Sequence, residues 1–377
     1  MRLLLCAVLA TLLLAVPAHA REMEIGMQDD NTILHAYRNR VLALQQFKAM
    51  GGTSVRINIE HAQKGRYRNR TTLKRSLLNK VALYDGAVDA VTSFGLKPQL
   101  TLVWRPKKRG NPDPVRYAKW ARNVAKHFRR QVRRYSILNE PDLYLRSEGA
   151  CNRAGLARFV RRNPGRTFRY RRGYRAYDLT VRPRSRGMNL RRACLRWERG
   201  KLYRRYVKRA APSIRRGAPG AQVLGGETSP NVGLQWFLKT ARPRSLPVSG
   251  WAHHPFQVHD MKPNDKGGNY GISRTPLLKR LIGKPLYFTE FGYAHPHSSM
   301  DKRVLGRRAK PKQVARAEVA AFKIARRNKI RQMLHYQWYV KPSFRTEFWE
   351  TALLNKDNGK TTPVYRALKK LILGWRD

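Results

Sequence analysis

The chain has 377 residues, enough for one large α/β domain or two ordinary ones. Hydrophobic residues make up 42% of it, which excludes a chain too polar to bury a sizeable core. The formal charge is +56, from 79 Lys and Arg against 23 Asp and Glu; such a field draws polyanions in a salt-sensitive way but does not define a fold.

The chain opens with MRLLLCAVLATLLLAVPAHA, in which one early cation, Arg2, precedes an apolar run and the small-residue site Ala18-His19-Ala20. This pattern is a secretory signal over residues 1–20, leaving 21–377 as the mature chain. The apolar run is short for a stable span and has no basic stop-transfer flank directly after it, and no other segment is apolar enough. The expectation is a secreted or periplasmic protein with no membrane attachment after cleavage. Cys6 leaves with the signal, and export favours a disulfide between the two remaining cysteines, Cys151 and Cys194, over two separate buried thiols.

Eight β-rich runs then follow in order: 24–28, 53–59, 96–104, 133–139, 221–226, 249–255, 285–293 and 332–340. Apolar residues recur at three- and four-residue spacing between several of them, over 41–50, 115–128, 195–210, 314–325 and 364–371, and there is room for a helix after each run. Continuous apolar strands separated by helices indicate a parallel sheet covered on both faces. Eight such units close into a (β/α)8 TIM barrel, expected here as one domain over 21–377. The alternative is an open doubly wound sheet, but no GxGxxG turn follows the first strand. The spacing breaks once, at a long basic insertion after the fourth strand, residues 145–192. Region 145–209 holds 22 Lys and Arg against 3 acids, interleaved with Tyr170, Tyr174 and Tyr177. A loop this long in a compact domain is functional or disordered. The Cys151–Cys194 pairing would staple its base, making a cap beside the barrel mouth.

Active sites of such barrels form at the C-terminal ends of the strands. In chain order those ends carry Asp29 and Asp30, Arg56 and Asn58, Trp104, Asn139 and Glu140, Glu227, His253 and His254, Glu290, and Trp338. Strands four and seven lie across a barrel from each other, so Glu140 and Glu290 can face one cavity. Two carboxylates flanking one bond are what glycosidic cleavage requires, one protonated and one ionised. Arg56 would keep Glu290 ionised and a drier setting would keep Glu140 protonated. Trp104 and Trp338 suit the apolar face of a sugar.

These residues carry a resemblance. Asn139-Glu140-Pro141 after strand four, TEFGY (289–293) on strand seven, Trp338 on strand eight and the close WETALLNKDNGKTTPVYRALKKL (349–371) resemble the clan A glycoside hydrolases, the cellulase-like and β-xylosidase-like retaining enzymes on (β/α)8 barrels. The resemblance implies that Glu140 is the acid/base and Glu290 the nucleophile, that Asn139 binds the hydroxyl next to the reacting carbon, that Arg56 supports the nucleophile, and that Trp338 lies beneath the sugar. The sequence departs from the clan after strand six, where a His-x-Tyr pattern is common and the chain reads His254-Pro255-Phe256, without a hydroxyl.

The remaining site residues are read as sugar contacts: Arg56, Trp104, Asn139, His254, Trp338 and Asp30. Bland roles stand beside these, as loop charges for the two glutamates, a structural ion pair for Arg56 and barrel-top core for the tryptophans. Glu227 reads as structural or as a peripheral sugar contact. His253, His254, His259, His295 and His297 match no metal-ligand spacing, so neither a metal nor a cofactor is expected. The sequon Asn69-Arg70-Thr71 says nothing without a host. The expected partner is an oligo- or polysaccharide and no specific nucleic acid; the basic insertion reads first as a solvated loop of an Arg-rich protein, and an acidic glycan is its best functional version. The competing reading is a non-catalytic exported binder of acidic polysaccharide on a degenerate barrel.

Overall fold

The computed structural model describes residues 23–376, except position 36 and the stretches 62–69, 105–109, 173–174, 182–187, 232, 257–269, 294–309, 339–350 and 355–359; residues 35, 37–39, 70–80, 168–172, 175–179 and 188–189 are described by backbone alone. The signal at 1–20, Asn69, His259, His295, His297 and parts of the insertion and of the closing motif lie outside the described residues.

Eight parallel strands form a closed barrel. They are β1 (Glu24–Gln28), β2 (Ser54–Glu60), β3 (Lys97–Val103), β4 (Arg134–Ile137), β7 (Gln222–Thr228), β8 (Gly250–His253), β9 (Leu286–Phe291) and β10 (Gln332–Tyr336), with β10 returning to pair with β1. Two further strands, β5 (Thr167–Arg172) and β6 (Arg175–Thr180), pair antiparallel outside the barrel. All eight runs read from the sequence are barrel strands, so the fold is a (β/α)8 barrel. Every residue of β9 is buried, as are all but the first of β3 and of β7, because helices cover one face and the barrel interior the other. The interior is polar as well as packed: Gln332 donates to Ser54 at 3.0 Å, across strands that are not neighbours.

A helix follows each barrel strand: Tyr37–Ala49, Arg70–Ser93, Pro114–Phe128, Met188–Gly217, Leu234–Ala241, Thr275–Ile282, Pro311–Arg327 and Pro363–Leu373. Local chemistry sets their starts. The Asp113 carboxylate accepts from the Val115 and Arg116 amides ahead of Pro114, and the Thr362 hydroxyl accepts from Tyr365 ahead of Pro363. Helix 114–128 buries Tyr117, Ala118, Ala121, Ala125 and Phe128 at the expected spacing and lies so close to helix 188–217 that a Cβ on Gly217 would come within 2.3 Å of the Arg122 carbonyl oxygen. Three of these eight helices escaped the periodicity reading. Two of them, 234–241 and 275–282, are only eight residues long, too short for a repeating apolar stripe to stand out.

The insertion has a structure of its own. A 3-10 turn (Glu148–Cys151), a helix (Arg153–Arg162) and the β5–β6 hairpin precede helix 188–217, which starts seven residues earlier than the periodic stretch. Cys151 and Cys194 are joined by a disulfide, with Cα atoms 6.0 Å apart. It sits in a satellite core with Phe159, Val160, Val181, Leu190, Ala193 and Trp236, which ties the insertion to helix 234–241. Asp142, fully buried just after β4, forms an ion pair with Arg196 at 2.9 Å and accepts from the Ser229 hydroxyl at 2.6 Å. No described helix is long and apolar enough to cross a membrane.

The double substitution Cys151→Ala, Cys194→Ala removes a closed loop spanning 43 positions. The expected outcome is faster tryptic cleavage within 152–193 and a loss of about 2–4 kcal/mol in the stability of that segment. Native-state proteolysis checks this, and an unchanged cleavage rate rules out the staple.

Candidate active site

The site is built at the C-terminal ends of the strands, on backbone that departs from regular geometry. Leu138, Glu140, Glu227 and Gln337 all have positive φ, at 62°, 43°, 49° and 67°. Each such residue costs on the order of 1–3 kcal/mol and persists only where its surroundings over-determine it. The surroundings are visible. The Leu138 amide donates to the Tyr117 hydroxyl at 3.1 Å, and the Glu140 amide donates to the Glu227 carbonyl at 2.9 Å. The backbone of one glutamate therefore fixes the backbone of the other.

Arg56, on β2, is the centre of the site and has no exposed surface. Its Nη1 donates to Glu290 Oε1 at 2.6 Å, its Nη2 to Asn139 Oδ1 at 2.8 Å, and its Nε to Thr101 Oγ1 at 2.7 Å. Nη2 also lies 3.1 Å from Glu227 Oε2. Glu227 is fully buried and accepts from the Thr289 hydroxyl at 2.6 Å and from His254 Nε2 at 2.8 Å. The other nitrogen of His254, Nδ1, lies 3.5 Å from Glu140 Oε1 and 3.5 Å from Glu290 Oε2. Those two oxygens are thus no farther apart than twice that distance. Both carboxylates reach solvent, with side-chain exposures of 17% and 10%.

Charge follows from this packing. Burial works against an ionised Glu227, but Arg56 and His254 hold its carboxyl down to about 2. Burial would likewise lower His254, but Glu290, Glu140 and Glu227 outweigh it and push the imidazole up to about 10. His253 behaves oppositely. Burial drops it to about 3, and it bonds the Tyr270 carbonyl at 2.7 Å as a neutral ring. Desolvation lifts Asp30 to about 6 against its bonds from the Asn58 amide (3.0 Å) and side chain (2.7 Å).

The structure brings Glu140, Glu290, Asn139, Arg56 and His254 together, and it places three of the expected sugar contacts differently from their reading. Trp338 is 1% exposed, with its ring edge-on to Phe47 and Tyr365, so it packs between the helices 37–49 and 363–373 rather than on the floor of the pocket. His254 has no exposed surface and lies beneath the carboxylates rather than beside a sugar. Asp30 ties β1 to β2 through Asn58, although part of it remains open. Trp104 does face the mouth. One face stacks on His61 at 3.4 Å, and its ring lines a cleft with Asn58, Asn139, Pro141 and Tyr144. The residue that sequence reasoning undervalued is Glu227. The signal was a third carboxylate at a strand end; its depth, and its grip on Arg56 and His254, belong to the tertiary structure. No group of three His, Cys, Asp or Glu among the described residues is arranged to hold a metal ion.

No family model matches the chain, and no curated protein matches it by sequence. Solved structures share its fold, among them GH39, GH42 and related clan A glycoside hydrolases. A GH39 enzyme from Xanthomonas axonopodis pv. citri aligns with a TM-score of 0.54 at 14% identity, over 93% of this chain and 65% of that one. A GH39 β-xylosidase from Caulobacter crescentus gives 0.54 at 16%, over 94% and 71%. The β-galactosidase of the psychrophilic Marinomonas ef1 gives 0.57 at 12%, over 94% and 60%. The chain therefore spans roughly two thirds of the length of these neighbours, and the likeness is one of fold.

The charge cluster makes stability depend on pH in a defined way. Glu227 is depressed in the folded state from a usual 4.5 to about 2, so its contribution is complete above 4.5 and is lost as pH falls through 2. His254 is raised from 6.5 to about 10, so its contribution is complete below 6.5 and is lost as pH rises through 10. Glu227→Gln should remove the acid-side loss, on the order of 3 kcal/mol at about 1.4 kcal/mol per tenfold change in proton affinity. Urea midpoints of wild type and variant from pH 2 to 5 check this, and parallel curves would refute it.

Proposed function

We propose that the protein is a secreted, retaining glycoside hydrolase that cleaves β-linked glycans by double displacement. The observation that carries this reading is the placement of Glu140 and Glu290 at equal distance from one imidazole nitrogen. It caps the separation of these two oxygens at twice 3.5 Å, which admits the roughly 5 Å of a direct-attack pair.

Arg56 divides the roles. It bonds Glu290 directly at 2.6 Å, which fixes that carboxylate for attack and leaves Glu140 as the proton donor. Glu290 attacks the anomeric carbon while Glu140 gives its proton to the departing glycosidic oxygen, so the C–O bond breaks as an ester to Glu290 forms. Glu140, now a carboxylate, takes a proton from water as that water attacks the same carbon and frees Glu290. Asn139 accepts from Arg56 through Oδ1, which leaves its amide N–H groups to donate to the hydroxyl next to the reacting carbon. Trp104, which stacks on His61 and lines the cleft with Asn58 and Asn139, offers a ring to a neighbouring sugar. The chemistry needs no cofactor. The basic insertion, with 22 cations against 3 acids over 145–209, favours an acidic glycan.

Hydrolysis of a panel of aryl β-glycosides tests this reading. Glu290→Ala is expected to fall to background. Glu140→Gln is expected to lose roughly 100- to 10,000-fold on substrates with a poor leaving group and far less on dinitrophenyl glycosides, which need no proton. NMR of the first-formed sugar is expected to show the β-anomer. Equal, near-background rates for wild type and Glu290→Ala across the panel would favour an exported polysaccharide binder instead.

A further inference from the structure

Glu227 is out of reach of any substrate. It has no exposed surface, and its oxygens are engaged by Arg56, His254, Thr289 and Thr101. A carboxylate sealed in this way is costly unless it acts on charged partners. It stands directly behind both catalytic carboxylates, reaching Glu290 through Arg56 and reaching Glu140 and Glu290 together through His254.

The geometry restricts the state of His254. A neutral imidazole carries one N–H and one lone pair. With the proton on Nε2, the Nδ1 lone pair would face Glu140 and Glu290 at 3.5 Å each; with the proton on Nδ1, the Nε2 lone pair would face Glu227 at 2.8 Å. Either neutral form sets a lone pair against carboxylate oxygen; only the doubly protonated ring gives Nε2–H to Glu227 and places a cation 3.5 Å from both Glu140 and Glu290, at ion-pair distance rather than in a hydrogen bond. The adjoining wall does not relieve this. Phe256 meets the imidazole edge-on, 6.3 Å between ring centres, and has no polar atom on its side chain. Among the described residues the nearby titratable groups are His253, Arg56, Asp30 and Asp142, the last paired with Arg196. His253 is a neutral ring held by Thr228 and the Tyr270 carbonyl, Arg56 lies across Glu227, and Asp30 lies beyond Arg56 on Asn58.

Resting on the glycosidase reading above, we propose that His254 stands as an imidazolium between Glu140 and Glu290, with buried Glu227 as the positioning residue that keeps it charged, so that the cluster balances when the two catalytic carboxylates hold one proton between them. Glu227 cancels one of the two cations, Arg56 and His254. The remaining positive charge is matched by one ionised carboxylate, not two. Of the two, Arg56 bonds Glu290, at 2.6 Å, and so sets the two carboxylates in different surroundings.

Two measurements test this. In wild-type protein labelled with 15N-histidine, one imidazole is expected to remain doubly protonated at pH 8.5, and that signal is expected to be lost at the same pH in Glu227→Gln. Histidines all neutral at pH 8.5, or an imidazolium indifferent to Glu227→Gln, would overturn the proposal. In His254→Gln, loss of a cation next to both carboxylates is expected to move both limbs of the pH profile of kcat/KM upward, by about one pH unit or more. A purely structural histidine would lower the rate and leave the limbs in place, which also overturns it. The NMR measurement needs no substrate. A wild type inactive on every glycoside would refute the proposed function alone, whereas a retaining enzyme with neutral His254 would refute only the bridge.

Discussion

The guanidinium of Arg56 is sealed from solvent, and groups from four other parts of the barrel converge on it: Thr101 from β3, Asn139 after β4, Glu227 from β7 and Glu290 from β9. A buried cation is tolerable only if its partners stand at hydrogen-bond distance from several directions at once. That requirement constrains the register of β2, β3, β4, β7 and β9 together, since a strand shifted by one residue turns its side chains to the other face. The barrel and the site are thus held by one interaction. What closes the cylinder also brings the carboxylates to a common point.

The strained backbone has the same origin. Positive φ at Leu138, Glu140, Glu227 and Gln337 occurs where strands leave the barrel and must turn side chains inward within one or two residues. The rigid scaffold supplies the compensation through Tyr117, whose hydroxyl receives the Leu138 amide, and through the backbone bond from Glu140 to Glu227. A glutamate whose backbone is pinned in this way has few ways to leave its station, which is the physical content of a preorganised site. The cost is borne by a core in which Tyr117, Tyr203 and Tyr206 are buried and bonded to backbone carbonyl or amide groups.

The insertion is more than a loop. Its own small core and the disulfide give it a fixed attachment, and the Asp142–Arg196 pair ties the turn that carries Glu140 to helix 188–217. Helix 188–217 therefore serves the barrel and the insertion at once, covering β4 with Tyr203 and holding Cys194 on its outer part.

The strands, their order and the residues at their ends were legible in the sequence, because strands buried on two faces write long apolar runs and the final residue of each run is fixed by counting along it. The glutamates at 140 and 290, the arginine at 56 and the cysteine pair follow from residue type and position alone. Depth was not legible. Trp338 and His254 sit at strand ends as expected, yet one ring turns out between two helices and the other lies beneath the carboxylates, because neighbouring strands and helices from distant parts of the chain decide which space is open. Glu227 shows the difference most plainly. The sequence set a carboxylate at the end of the fifth barrel strand, and only the packing of β2, β8 and β9 around it made that carboxylate the buried counter-charge of both Arg56 and His254.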